Sequence, residues 1–172
     1  MILNEVLGIQ EIKNHNIRIT TRQAVRAVIL KDGKILMVHT NKGDYKFPGG
    51  GVKRQEELQE ALIREVAEET GYIVETIGEK LGTIIQRNVN QFNANGIFEM
   101  TSHYYFCSVK DIPESQHLEK YEEDQEFEPV WISMDDVIKG NEMILQGNKE
   151  KINPWVYRET LALRRLKENG KG

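Results

Sequence analysis

The first third of the chain carries the pattern of a β-hairpin. Residues 17–30 are rich in β-branched side chains, and a second hydrophobic run occupies residues 35–40. Between the two runs, Asp32-Gly33 is a residue pair that favours a tight turn. The pattern therefore predicts two antiparallel strands joined at this pair.

A helical pattern follows in residues 56–70. Hydrophobic side chains recur there every four positions, at Leu58, Leu62 and Val66. Gly71 favours the end of the helix, because glycine readily adopts the left-handed conformation that closes a helix. Three consecutive glycines, Gly49–Gly51, exclude regular helix just upstream, so we predict a loop that leads into the helix.

The rest of the chain mixes strands with two further helices. Strands are predicted at residues 72–77, 81–87, 97–109 and 128–132. Ser133 has the residue type of a helix N-cap, and Asn153-Pro154 is expected to start a last helix with proline in its first turn. This order of elements predicts an α+β fold with mostly antiparallel connections.

The acidic residues of the first helix do not follow its polar face. At about 100° per residue, Glu65 and Glu69 fall on the arc centred on Leu58, and Glu68 lies at the edge of that arc. The three acids are spaced i, i+3 and i+4, so they share one face. A glutamate cluster on a helix is ordinarily a solvated face, but this wheel predicts carboxylates turned toward the protein interior.

Clustered carboxylates in low-dielectric surroundings repel each other and lose hydration, so either their protonation shifts or a cation neutralises them. Oxygen ligands suit a hard divalent ion, and no matching His or Cys cluster favours Zn²⁺. We therefore expect Mg²⁺, or alternatively Mn²⁺, as the cofactor. Gly49, Gly50 and Gly51 would let the backbone approach phosphate oxygens, although such a run is also typical of a plain tight loop.

The composition of the chain argues against nucleic acid polymers and membranes as binding partners. The formal net charge of −4 gives no bulk attraction to a nucleic acid polymer or to an anionic membrane. No hydrophobic run approaches the ~20 residues of a membrane span, and one cysteine cannot form an internal disulfide. We expect a cytoplasmic protein, monomer or homodimer, acting on a small molecule.

The simplest division of the chain is one domain over residues 1–172. Residues 1–16 would be an N-terminal extension, compatible with an extra strand or with a dimer contact. Residues 153–172 would form the C-terminal helix and tail.

Residues 50–72, GGVKRQEELQEALIREVAEETGY, resemble the signature of the Nudix (MutT-like) hydrolases. That signature is G-x5-E-x7-R-E-U-x-E-E-x-G-U, in which U is a bulky hydrophobic residue. The residues in register are Gly50, Glu56, Arg64, Glu65, Val66, Glu68, Glu69 and Gly71. Tyr72 at the last hydrophobic position is a minor departure.

The resemblance implies an α/β/α sandwich around a mixed, largely antiparallel sheet. It also implies metal-dependent hydrolysis of a nucleoside diphosphate linked to another group. Glu65, Glu68 and Glu69 would hold the divalent metals, and Glu65 or Glu69 would help to deprotonate the attacking water.

The remaining signature residues would have positioning roles. Arg64 would orient the catalytic helix through an ion pair with a nearby acid such as Glu56. Gly50 and Gly71 would shape the loop, the helix and the turn that follows it.

Many members of the family add an acid from a later loop. The candidates before Trp131 are Glu122, Glu123, Asp124, Glu126 and Glu128. We favour Glu126 as a metal ligand, and then Glu123; an exposed acidic loop is the competing interpretation.

Other side chains are candidates for nucleotide contact, although each also fits an ordinary structural role. The aromatic candidates for stacking on a base are Tyr45, Phe47, Phe92 and Trp155. The arginine candidates for phosphate contact are Arg22, Arg26 and Arg87. His39, His103 and Cys107 are expected to be structural.

The sequence is compatible with several classes of substrate. Beyond the signature the chain reads IIQRNVNQF, without the proline or tyrosine that some ADP-ribose and dinucleoside polyphosphate enzymes carry there. We favour a nucleoside triphosphate or a noncanonical nucleotide, with ADP-ribose or a nucleotide sugar as the alternative. An isoprenoid diphosphate isomerase and a non-catalytic nucleotide-binding module are weaker alternatives.

Overall fold

The computed structural model describes residues 1–12, 16–90, 96–148 and 151–171. The strands are β1 (Leu3–Gly8), β2 (Arg18–Lys31), β3 (Lys34–His39), β4 (Tyr45–Lys46), β5 (Val74–Val89), β6 (Gly96–Val109) and β7 (Glu128–Ile132). The helices are α1 (Leu58–Thr70), α2 (Lys120–Asp124), α3 (Met134–Leu145) and α4 (Val156–Glu168). Within these ranges, no helix combines the length and the hydrophobicity needed to cross a membrane.

The strands form one mixed sheet in the order β1-β5-β6-β2-β3-β4, with β7 paired to β3. The β1–β5 and β2–β6 pairs are parallel, whereas β3 pairs antiparallel with β2, β4 and β7, and β5 pairs antiparallel with β6. The loop after β4 also follows β2, because the Val25 and Ala27 amides donate to the Gly50 and Pro48 carbonyls. The glycine loop is therefore fixed along a central strand.

Alternating side chains of the central strands build two cores, one on each face of the sheet. Val25, Ala27 and Ile29 of β2 pack with Ala61, Leu62 and Val66 of α1. Val28 lies in the opposite core, which contains Val137 of α3 and Leu163 of α4. Helices thus cover both faces, which confirms the predicted α+β sandwich around a mixed sheet.

Most of the elements expected from the sequence are present. The hairpin turns at Asp32 and Gly33, whose φ values are 50° and 71°, and α1 closes at Gly71 with φ 73°. The Oγ of Ser133 accepts a hydrogen bond from the Asp136 amide, as expected for an N-cap. Within residues 1–16, β1 forms an extra strand of the sheet.

Three details differ from the prediction. The strands expected at residues 72–77 and 81–87 are one strand, β5, because bulges between Ile77 and Gly82 shift its register without ending it. Helix α2 was not predicted. Pro154 lies in the turn before α4 rather than inside the helix, which begins at Val156.

Candidate functional site

The candidate site is built on the inward face of α1. Glu65 and Glu69 are buried residues, with 8% and 1% of their surface exposed, which confirms the inward direction predicted by the helical wheel. Glu68 is half-buried. The hydrophobic residues of α1 pack on β2 and leave the two buried acids beside the glycine loop.

Arg64 links this helix to the loop that precedes it. Its Nε and Nη2 donate to both carboxylate oxygens of Glu56, at 2.7 and 2.8 Å, and Nη2 also donates to the Gly51 carbonyl at 3.1 Å. Nη1 donates to Glu65 at 2.7 Å and to Glu68 at 3.0 Å. The Arg64 hydrogen bonds lower the pKa of Glu56 to about 2. The expected Arg64–Glu56 ion pair is therefore present.

The backbone of the glycine loop lies in direct contact with Glu65 and Glu69. The Gly49 amide donates to Oε2 of Glu69 at 2.9 Å, and Gly49 has φ 138°. A Cβ at Gly50 would collide with the Glu65 carboxylate, and a Cβ at Gly51 would collide with the guanidinium of Arg22. Because these glycines have no side chains, the Glu65 carboxylate and the Arg22 guanidinium can lie directly against the loop backbone.

A third acid joins the two from α1. Among the described residues, carboxylate oxygens of Glu65, Glu69 and Glu122 lie within 4.8 Å of one another, and all three side chains are buried. Glu122 is on α2, where its Oε2 accepts a hydrogen bond from the Glu119 amide at 2.8 Å. We call Glu65, Glu69 and Glu122 the acid cluster.

The acid cluster differs from the ligand set expected from the sequence. Glu126 and Glu123, which the sequence analysis favoured, are exposed, and neither belongs to the acid cluster. Glu126 occupies a turn with φ 52°, after α2 has ended. Glu68 also lies outside the acid cluster and hydrogen-bonds to Arg64. The downstream acid that lies beside Glu65 and Glu69 is thus Glu122, which the first turn of α2 directs inward, whereas Glu126 as a metal ligand stays a prediction.

Lys46 is a site residue that the sequence analysis missed. It is 4% exposed, and its Nζ donates to Oε1 of Glu69 at 2.5 Å and to the Gly49 carbonyl at 3.1 Å. The ammonium also lies 5.0 Å from the centre of the Phe127 ring. The available sequence signal is the lysine between two aromatic residues in Tyr45-Lys46-Phe47, because a strand turns the lysine to the face opposite the two rings.

Burial controls the ionisation of the acid cluster. Burial raises the pKa of Glu69 to about 7, against the opposing effect of Lys46, and burial also raises the pKa of Glu65. Buried carboxylates with raised pKa values gain most from a bound cation. The donor set is composed of oxygens alone, which fits Mg²⁺ or Mn²⁺.

A cleft of about 470 Å³ opens along the glycine loop, and Lys46, which lines it, connects it to Glu69 of the acid cluster. Its basic lining residues are Arg22, Arg26, Lys46 and Arg158. Its aromatic lining residues are Phe98, Tyr121, Phe127 and Trp155. The volume lies in the range of small-molecule sites, and the lining offers cations for phosphate and rings for a base.

Of the aromatic candidates, Trp155 lines the cleft, and its Nε1 donates to the buried carboxylate of Asp44 at 2.7 Å. Phe47 is buried edge-to-face against Tyr104, and Tyr45 packs at the edge of the same core. Phe92 lies outside the described residues.

Of the arginine candidates, Arg22 and Arg26 line the cleft, whereas Arg87 forms an ion pair with Glu99 at 2.7 Å. His39 packs on Tyr45, and Nε2 of His103 hydrogen-bonds to Gln23.

Burial raises the pKa of Cys107 to about 12, so this thiol is a poor nucleophile at neutral pH.

Comparison with known proteins identifies the family. The NUDIX domain matches residues 20–156, so the chain belongs to the NUDIX family. An ADP-ribose pyrophosphatase of Methanocaldococcus jannaschii is 34% identical over 73 residues, which are 40% of this chain and 43% of that protein. A CTP pyrophosphohydrolase of Escherichia coli is 40% identical over 62 residues, which are 33% of this chain and 45% of that protein. The match thus spans less than half of either curated relative.

A solved structure shares the fold. The NUDIX hydrolase from Nitrosomonas europaea superposes with a TM-score of 0.59 at 21% sequence identity, covering 88% of this chain and 91% of that one.

Proposed function

We propose that the protein is a metal-dependent pyrophosphohydrolase that cleaves a phosphoanhydride bond in a nucleotide. The observation that carries this proposal is the acid cluster of Glu65, Glu69 and Glu122, buried beside a glycine loop and a basic cleft. A polyanionic diphosphate is the ligand class that such an arrangement fits.

The acid cluster would hold the divalent ions, with Glu68 at its border. When bound, Mg²⁺ or Mn²⁺ would offset the charge of the phosphates and lower the pKa of water. Arg64 would keep Glu65 and Glu68 in place through its hydrogen bonds to both. Gly49, Gly50 and Gly51 would present the loop backbone to phosphate oxygens.

Glu65 is better placed than Glu69 to accept a proton from water. Both oxygens of Glu69 already accept hydrogen bonds, from Lys46 and from the Gly49 amide. Oε1 of Glu65 accepts from Arg64, whereas Oε2 accepts none from the described residues and lies beside Gly50. We therefore assign the general base to Glu65 and a purely positioning role to Arg64.

The substrate is proposed to be a nucleoside triphosphate or a noncanonical nucleotide. One relative, a CTP pyrophosphohydrolase, supports this candidate. ADP-ribose or a nucleotide sugar is the second candidate, since another relative is an ADP-ribose pyrophosphatase. The isomerase alternative would need a reactive cysteine, and Cys107 is buried with a raised pKa.

The test is hydrolysis of a nucleotide panel with Mg²⁺, followed as release of phosphate or pyrophosphate. We expect Glu65→Gln and Glu69→Gln to lower kcat about 100-fold or more, because each removes a charge at nearly constant shape. Glu60→Gln is the matched control, since this exposed helix residue keeps its capping contact as glutamine. Nucleotide binding without turnover across the panel would instead establish a non-catalytic module.

A further inference from the structure

Three charged side chains form a buried group where α4 meets the sheet. Arg26, Arg158 and Glu159 are 6%, 1% and 0% exposed. Nε and Nη2 of Arg158 both donate to Oε1 of Glu159, and Nη1 donates to Oε1 of Gln86 at 2.6 Å. Nε of Arg26 lies 3.7 Å from the same glutamate oxygen, beyond hydrogen-bond distance.

This group carries one more positive charge than negative charge. It contains two guanidinium groups and one carboxylate, and none of the described residues that line the cleft is acidic. A buried charge without a counter-charge is costly, so an anion that approaches this position gains energy. Burial, reinforced by the charge of Arg158, lowers the pKa of Arg26 against the opposing charge of Glu159.

Arg26 also has unused hydrogen-bond donors. Its Nη1 donates to the Val25 carbonyl at 3.2 Å, while its buried Nε has no hydrogen-bond partner among the described residues. Both Arg26 and Arg158 line the cleft. A guanidinium in this state is suited to a phosphate, because phosphate accepts paired N–H groups and supplies the missing charge.

The position of Arg26 indicates which phosphate it would meet. The glycine loop runs beside β2, and a Cβ at Gly49 would lie 3.0 Å from the Cα of Arg26. Gly49 in turn donates its amide to Glu69 of the acid cluster. Arg26 thus lies next to the loop proposed to hold the scissile diphosphate, on the side that faces Arg158 and Gln86.

Resting on the proposed function, we infer that Arg26 and Arg158 form a subsite for a further phosphate group, beyond the two at the acid cluster. The substrate class that supplies three linked phosphates is a nucleoside triphosphate. ADP-ribose and ordinary nucleotide sugars carry two phosphates and would leave this subsite without its anion. A neutral carbonyl oxygen of a base would fill the donors but leave the excess charge uncancelled.

The test is to measure the binding of inorganic triphosphate and of pyrophosphate to the full chain by calorimetry in the presence of Mg²⁺. Anion-exchange chromatography afterwards verifies that each probe is intact. The wild type should bind triphosphate at least about tenfold more tightly than pyrophosphate. Arg26→Gln, which neutralises the group, should reduce this preference to less than about threefold. Glu159→Gln, which leaves two unopposed guanidinium groups, should enlarge it.

The two variants are expected to change the triphosphate preference in opposite directions. This distinguishes a phosphate subsite from a group that only anchors α4. If the three residues only anchor the helix, both variants lower the melting temperature and leave the triphosphate preference at its wild-type value, which overturns the inference. Arg87→Gln is the matched control, because its ion pair with Glu99 lies outside the cleft lining. A wild-type protein that binds both probes equally also overturns the inference, whether or not the variants fold.

Failure of this inference is distinct from failure of the proposed function. If the protein hydrolyses a nucleotide of the panel but binds triphosphate no more tightly than pyrophosphate, the subsite is overturned and the proposed pyrophosphohydrolase activity is supported. A triphosphate preference without hydrolysis of any nucleotide would support the subsite and overturn the proposed reaction.

Discussion

At the residue scale, Glu69 combines nearly complete burial with a position at the centre of the charged contacts. Lys46 and the Gly49 amide each contact one of its oxygens, yet burial still raises its pKa to about 7 from the ordinary value of 4.5. The folded protein therefore holds a proton on Glu69 at pH values where the unfolded chain has lost it. Such a group links stability to pH.

We expect the metal-free protein to lose stability as the pH rises from about 4.5 to about 7. The folded pKa is above the unfolded one, so the stabilising contribution is complete below 4.5 and is lost as the pH passes the folded value. For Glu69 the loss amounts to about 3 kcal/mol in the free energy of unfolding. Urea denaturation in EDTA across this range measures it.

Glu69→Gln is the control for this pH dependence, because glutamine does not titrate. The variant should lack the part of the decline that Glu69 causes, whatever its absolute stability, whereas Glu65, whose pKa burial also raises, contributes a decline that both proteins share. Glu56 does not interfere, since its lowered pKa affects stability below 4.5. Parallel pH curves for wild type and variant would show that Glu69 has an ordinary pKa.

The planar guanidinium of Arg64 donates hydrogen bonds to four partners, which the ammonium of a lysine cannot reproduce. Its guanidinium contacts Glu56, Glu65, Glu68 and the Gly51 carbonyl. We expect Arg64→Lys to lower the free energy of unfolding by about 2–4 kcal/mol, measured by urea denaturation, because several charge-assisted hydrogen bonds are lost. Arg54→Lys, at an exposed position, should change it by less than about 0.5 kcal/mol.

At the scale of secondary structure, the short helix α2 determines which downstream acid reaches the site. Glu119 and Glu122 form a reciprocal capping box, in which each side chain accepts from the backbone amide of the other. The capping box fixes Glu122 on the inner side of the helix, and Phe127 packs edge-to-face on Tyr121 behind it. The acids later in the run extend into solvent.

This arrangement predicts different effects for two neighbouring glutamates. Glu122→Gln should weaken Mg²⁺ affinity about tenfold or more, because it removes one charge from a buried ligand set. Glu126→Gln should change the affinity by less than about twofold, since its side chain is exposed. Calorimetric titration of each variant with Mg²⁺ measures both. A larger loss of affinity for Glu126→Gln than for Glu122→Gln would support Glu126 as the ligand.

At the scale of the whole molecule, the two ends of the chain complete one core. Leu3 of β1 is fully buried in the cluster that contains Leu163 and Leu166 of α4. Arg165 also forms an ion pair with Glu5 at 2.8 Å. We propose on this basis that residues 1–172 fold as a single domain, with both extensions as integral parts.

Leu3→Ala tests the contribution of β1. We expect the free energy of unfolding to fall by about 2–5 kcal/mol, because the substitution leaves a cavity between the sheet and α4. Asn4→Ala, exposed on the same strand, should cost less than about 0.5 kcal/mol. Urea denaturation gives both values. Equal and small effects would mean that β1 is dispensable for the domain.

Periodicity and local motifs were enough to predict the hairpin, α1 and the inward direction of Glu65 and Glu69. These features depend on residues close together in the chain, whose spacing fixes both the element and the face that it buries. The Arg64–Glu56 pair was expected from the resemblance to the Nudix signature and not from periodicity. The N-terminal extension was left undecided, because a strand at the edge of a sheet has no local signal for its partner.

The sequence by itself therefore determined the family, the helix that carries the acids and the chemistry that they imply. Only the tertiary structure decided which distant residues lie beside these acids and line the cleft. Glu122 reaches Glu65 across the fold, Lys46 meets Glu69 from 23 positions away, and Arg158 meets Gln86 from 72 positions away. No local pattern encodes such contacts, because they arise when the sheet brings separate strands and helices to one edge.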